Sequence, residues 1–160
     1  MAYTMKVDGM EEISEKLTQL AERAPAVASG ALYEGAGIMA DEVAKAADSI
    51  NTKPFHYAVF ITRDPSPEEK AVVMAGGGAG IAKFQKNGSE VTTSVGYGRQ
   101  GYAELNGKQV PIAKIANAIN SGTSFMRKQP FIRKAANSGS GKALEKMRQS
   151  IESAFDEINK

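Results

Sequence analysis

The sequence predicts an α+β fold: an antiparallel sheet of about three to four strands covered by an N-terminal helical pair, a short helix and a C-terminal helix. Three observations predict it. Apolar residues recur at steps of three and four at both ends of the chain, the period falls to two in the middle, and turns rich in glycine or proline separate these regimes. The 160 residues fit a single domain spanning 1–160. A chain of this size buries roughly 70% of the surface it exposes when unfolded, enough to need no metal or disulfide.

Asp8 is placed to cap a helix from about Met10 to Ala24, on which Met10, Ile13, Leu17 and Leu20 form an apolar stripe and Glu11 and Glu12 occupy the first turn. Pro25 suits the first turn of a second helix reaching about Ser49. That helix is crowded with small residues, among them Gly30, Gly35, Gly37 and Ala40. Each interior glycine costs up to about 1 kcal/mol relative to alanine, so either another backbone approaches closely or the helix kinks at Gly35–Gly37. "FHYAVFITRD" and "KAVVMAG" alternate with a period of two around "PSPEE" and read as paired strands. A glycine run, Gly76–Gly80, precedes another strand-like segment, "EVTTSVGYG". Pro111 opens a short helix, "PIAKIANAIN", with Gly122 as its stop. The last helix is expected from about Lys142 to Asn159, with Leu144, Met147, Ile151, Phe155 and Ile158 on one stripe that reads as core and "NSGSG" as its lead-in.

Composition excludes several chemistries. There is no cysteine and one histidine, His56, so cysteine nucleophiles and histidine- or cysteine-based zinc sites lack their ligands. The opening "MAYTMKVDGMEEISEKL" does not read as a signal peptide, and no run approaches the roughly 20 apolar residues of a membrane span. The expectation is a soluble, cytoplasmically made protein. "GYGRQG" (96–101) has the spelling of a dinucleotide loop but neither the following apolar helix nor the distant acid. "GSGK" (139–142) lacks the first glycine and the final hydroxyl of a phosphate-binding loop, and "NGS" (87–89) reads as a turn. The carboxylate pairs Asp41/Glu42, Glu68/Glu69 and Asp156/Glu157 are adjacent in sequence, which splays them rather than converging them on one bond. No catalytic, cofactor-binding or metal-binding residue is nominated, and the chain does not read as an enzyme.

Charge is unevenly placed although the total is only +2. Residues 1–50 carry a net −5, residues 51–110 a net +2, residues 111–142 a net +6 with no acid at all, and residues 143–160 a net −1. The acidic and basic segments either pair within the monomer or face one another between molecules. A second reading of the basic segment is nucleic-acid binding through Lys114, Arg127, Lys128, Arg133, Lys134 and Lys142.

The basic segment also contains "GTSFMRKQPFIRKA", in which Gly122 and Thr123 are followed by Gln129, Pro130, Phe131, Ile132, Arg133, Lys134 and Ala135. This run resembles the C-terminal signature of the tail-completion, or head–tail joining (neck), morphogenesis proteins of long-tailed bacteriophages and prophages, where "GT" precedes "QPF-hydrophobic-R-x-A" and a terminal helix. The opening "DGMEEISEKLTQL" is similar to that family's acidic first helix, whereas "IANAIN" replaces its tyrosine–alanine–x–x–x–glutamate run. The resemblance implies a non-enzymatic virion structural protein, assembled in the bacterial host cytoplasm, that forms a homo-oligomeric ring, a hexamer favoured. Its partners would be the head connector or adaptor and the tail tube or tail terminator. Genome DNA would pass through the lumen without specific binding, with no cofactor and no membrane.

Within the signature, Pro130 fixes the backbone entering the last helix, so that Phe131 and Ile132 enter the core while Arg127, Lys128, Arg133 and Lys134 stay outside. Phe125 and Met126 follow no regular period. Aromatic and methionine side chains beside arginine favour interfaces, so the two residues either meet a neighbouring subunit or form a local core flap.

Overall fold

The computed structural model describes residues 10–53, 62–75, 79–88, 90–98 and 101–158. The expected Asp8 cap, most of the "FHYAVFITRD" strand with His56, and Gly76–Gly78 lie outside these residues. The architecture is α+β, with four helices and three small antiparallel strand pairs among the described residues.

Helix α1 runs from Met10 to Asp48 without interruption, so the expected helical pair is one element. Pro25 lies inside it. A proline removes one intrahelical hydrogen bond, but its fixed φ is helical, and a helix this long keeps its remaining bonds on both sides. Helix α4, Phe131–Ile158, lies antiparallel to α1. Each helix offers a glycine to a methionine of the other. A Cβ on Gly35 would fall 2.7 Å from Cγ of Met147, and one on Gly139 would fall 2.9 Å from Sδ of Met39. At Gly35 the neighbour is thus the Met147 side chain of α4 rather than the other backbone expected, and a Cβ at Gly30 or Gly37 would meet nothing within 4 Å.

Of the stripe expected as core, Leu144 is 63% exposed and Phe155 is exposed too, because the row that α4 buries is Ala135, Gly139 and Ala143. Helix α4 also starts eleven residues earlier than expected, because "NSGSG" is helical. Ser138 and Gly139 face α1, where Ser138 donates to Oε2 of Glu42 at 2.9 Å. Contact with α1 thus offsets the poor helix propensity of this stretch.

Residues expected as the strand "KAVVMAG" form helix α2, Pro67–Met74. The cause is a capping box: Ser66 Oγ accepts from the Glu69 amide at 3.2 Å, the Glu69 carboxylate accepts from the Ser66 amide at 2.8 Å, and Pro67 sits at the first helical position. Val72 and Val73 are buried by it.

The strands are short. β1 (Gly80–Ile81) pairs with β4 (Val95–Gly96), and β2 (Gln85–Asn87) with β3 (Glu90–Thr92), in nested antiparallel register. β5 (Tyr102–Leu105) and β6 (Lys108–Pro111) form a hairpin around Asn106 and Gly107, both with positive φ, as a two-residue type I′ turn requires. Among the described residues these pairs do not join into the single three- or four-stranded sheet expected.

Helix α3 (Ile112–Ser121) matches the expected short helix, buries Ile112, Ala116 and Ile119, and ends at Gly122. The core gathers Val43, Ala47 and Ile50 of α1, Val73 of α2, Ala116 and Ile119 of α3, Met126, and Phe131 and Ala135 of α4. Among the described residues no helix is long and apolar enough to cross a membrane.

Candidate functional site

The signature residues build a corner between α3 and α4. Gly122 adopts φ 78°, ψ 166°, a region essentially restricted to glycine, and a Cβ there would lie 3.0 Å from Cβ and 3.1 Å from the amide nitrogen of Lys128. Replacing Gly122 with alanine is expected to destabilise the protein by about 3 kcal/mol, read as a shift of the urea midpoint. Thr123 closes the next turn: its amide donates to the Met126 carbonyl at 2.9 Å and its Oγ1 accepts from the Met126 amide at 3.0 Å. This turn is clipped to Arg63, whose amide donates to the Phe125 carbonyl at 2.9 Å and whose carbonyl accepts from the Arg127 amide at 2.7 Å.

The clipped segment is extended, so successive side chains alternate. Met126 is buried at 3% exposure, whereas Phe125 remains 60% exposed. Of the two interface candidates only Phe125 is exposed; Met126 is a core residue, because the bridge to Arg63 turns it inward.

Gln129 acts as a staple. Its Oε1 accepts from the Asn51 amide at 3.0 Å and its Nε2 donates to the Asn51 carbonyl at 2.8 Å, tying the corner to the end of α1. Pro130 then leads into α4, and Asn120 Oδ1 caps the Ile132 amide at 3.2 Å. Phe131 is buried at 2% exposure and meets Tyr97 edge to face, with centroids 6.1 Å apart. Arg127, Lys128, Arg133 and Lys134 are exposed.

Between the corner and the end of α1 lies a polar cleft of about 470 Å³, lined by Lys53, Asp64, Arg127, Lys128, Gln129 and Lys134 among others. Four cations surround one carboxylate. Asp64 is shared between Lys53 at 3.5 Å and Arg127 at 3.8 Å, while Lys128 and Lys134 make no ion pair with any described residue. Sequence reasoning missed Lys53, Asp64 and Asn51. Nothing local marks them, because they come from segments 58–71 residues before Gly122.

The other basic candidates are placed differently. Lys142 reaches back to Glu42 at 2.9 Å, so part of the basic segment does pair within the monomer. Lys114 is exposed on α3 and Arg133 on α4. Lys142, Ser138 and Lys45 together hold the Glu42 carboxyl far below its ordinary 4.5, at about 2. The stability this carboxylate contributes is present above pH 4.5 and is lost as the pH falls from there toward 2. Glu42→Gln is therefore expected to flatten the acid limb of a stability–pH profile below pH 4.5, measured by chemical denaturation at stepped pH.

The adjacent carboxylate pairs remain split. Glu42 and Glu69 turn inward to cationic partners, while Asp41, Glu68, Asp156 and Glu157 are exposed. Among the described residues no three acidic or histidine side chains converge as a metal cluster would. The arrangement is suited to binding oxyanions on a rigid, positively charged corner. Comparison with protein-family models, curated proteins and solved structures found no match.

Proposed function

We propose that the protein is a non-enzymatic structural component of a phage virion, forming a ring that joins the head connector to the tail tube. The single observation that carries this reading is the corner itself: Phe131 is seated in the core while Phe125, Arg127, Lys128, Arg133 and Lys134 face outward. A rigid corner that buries its anchor and exposes an aromatic beside cations is built for protein contact. The sequence resemblance supplies the particular assembly, with a sixfold ring favoured, the connector or adaptor on one face and the tail tube or terminator on the other. Modest contacts suffice, because closing a ring engages every one of them at once.

The nucleic-acid reading draws less support. Lys142 is engaged by Glu42 and Arg127 leans on Asp64, which removes charge from the set that would follow a phosphate backbone.

Two measurements test the assembly reading. Sedimentation or native mass spectrometry of the purified protein should show a closed oligomer, and mass spectrometry of purified tailed particles should find the chain in them. A protein that stays monomeric and is absent from particles overturns it. Phe125→Ser should weaken association about tenfold or more without lowering the thermal midpoint, since this side chain is mostly exposed in the monomer.

A further inference from the structure

We infer that the cleft lined by Lys53, Arg127, Lys128 and Lys134 is the receptor for the acid-bearing N-terminal part of α1 from a second copy of this chain. The inference rests on the self-assembly reading above and specifies its contact.

The cleft is unbalanced. One carboxylate, Asp64, sits among four cations, and its two contacts are long at 3.5 and 3.8 Å. Lys128 and Lys134 carry charge that no described residue neutralises. Carboxylates delivered from outside would complete an alternating network of charges.

The same chain carries such carboxylates at its other end. Gly35 faces Met147 and Met39 faces Gly139, so α4 ends, at Ile158, about level with Glu22 of α1. Residues 15–19 are all exposed. Glu15 and Glu22 lie two helical turns apart on one face, roughly 10 Å along the axis, and neither pairs with a described residue. Lys16 and Arg23 each follow by one position, about 100° round the helix, which leaves a face led by the acids.

These two surfaces cannot meet within one molecule. From Glu22 to Asp48, where α1 ends beside the cleft, the helix rises roughly 39 Å. The contact must be heterologous, head to tail, and repetition of such a contact gives a closed ring or an open filament. A phosphate backbone fits less well. It calls for cations set along a path, whereas these converge on one cleft around a carboxylate.

Charge reversal of the full chain tests the pairing. Lys128→Glu with Lys134→Glu, and separately Glu15→Lys with Glu22→Lys, should each weaken self-association about tenfold or more at low salt. Thermal midpoints should hold, because the substituted side chains are exposed. Mixing the two variants should restore assembly, since each reversed surface then finds its complement and each native surface still finds its own. Wild-type oligomers unaffected by either reversal overturn this contact and leave the ring reading standing. A wild-type monomer at every salt concentration overturns this contact, and the ring reading falls with it only when the chain is also absent from purified particles. Low-salt retention of a DNA duplex that the lysine reversal abolishes, with oligomer mass unchanged, assigns the cleft to a polyanion and overturns the inference.

Discussion

Replacing Phe131 with alanine is expected to destabilise the protein by about 3–5 kcal/mol, a large part of the total stability of a domain this size. The side chain is 2% exposed and packs in one cluster with Val43, Ala47, Val73, Ile119 and Met126, besides its edge-to-face contact with Tyr97. Truncation removes both the transfer energy of the ring and the contacts of every group lining the hole. Phe131→Leu, which keeps most of the volume, should cost clearly less. Urea denaturation of the three proteins measures the series. Because Phe131 is the first residue of α4, its loss should also loosen the corner and weaken association indirectly. Phe125→Ser makes the opposite comparison: association falls while stability holds. Should Phe131→Ala unfold at nearly the wild-type urea concentration, the corner is not anchored by this ring.

The parts of the fold legible in the sequence are those where one local signal had no competitor. The stripe of Ile112, Ile115 and Ile119 between Pro111 and Gly122 marked α3 with both of its ends. Phe131 after Pro130 marked a core residue at a helix start. Where a residue type serves two roles, local signals favour the commoner one. Pro25 suggests a helix start, although its φ also suits a helix interior. "PSPEE" suggests a turn, although Ser66, Pro67 and Glu69 spell a capping box. The apolar run after it, Val72-Val73-Met74, is too short to distinguish strand from helix by period alone.

"NSGSG" carries the composition of a loop, and only the close packing of α1 makes it helical. The Asn106-Gly107 hairpin is the reverse case, a turn whose residue pair alone marks it. In the candidate site, the outward cations of 127–134 were legible because they sit in an acid-free run. Neither the Gln129–Asn51 staple nor the Asp64–Arg127 contact that brings Lys53 and Asp64 to the cleft is legible, since each joins segments more than 60 residues apart.

Arg63 and Glu69 should form the most sensitive polar pair. Glu69 Oε1 accepts from one Arg63 guanidinium nitrogen and Oε2 from the other, both at 2.6 Å, while Oε2 also accepts from the Ser66 amide at 2.8 Å. Burial pushes the Glu69 carboxyl up, but the Arg63 guanidinium and the Ser66 amide outweigh it and hold it below its ordinary value. The carboxylate thus stays charged to a pH below the ordinary glutamate value; its contribution is complete above that value and is lost as the pH falls from there through the lowered one. The pair also reaches beyond α2. Arg63 is the residue whose backbone clips Phe125 and Arg127, so the guanidinium holds both the helix cap and the signature loop in register.

Glu69→Ala removes the bidentate carboxylate from a poorly exposed guanidinium and takes away one of the two bonds of the capping box, and the expected loss is about 3 kcal/mol. Arg63→Met should lose a similar amount, because it leaves the carboxylate without its counter-charge. The double variant should lose much less than the sum of the two, since both charges of the pair are then removed together. Urea denaturation of the four proteins closes the cycle. Additive losses, or a loss below about 1 kcal/mol for Glu69→Ala, would mark the pair as a solvated surface contact and leave the register of the loop to the Gln129 staple and the Thr123 turn.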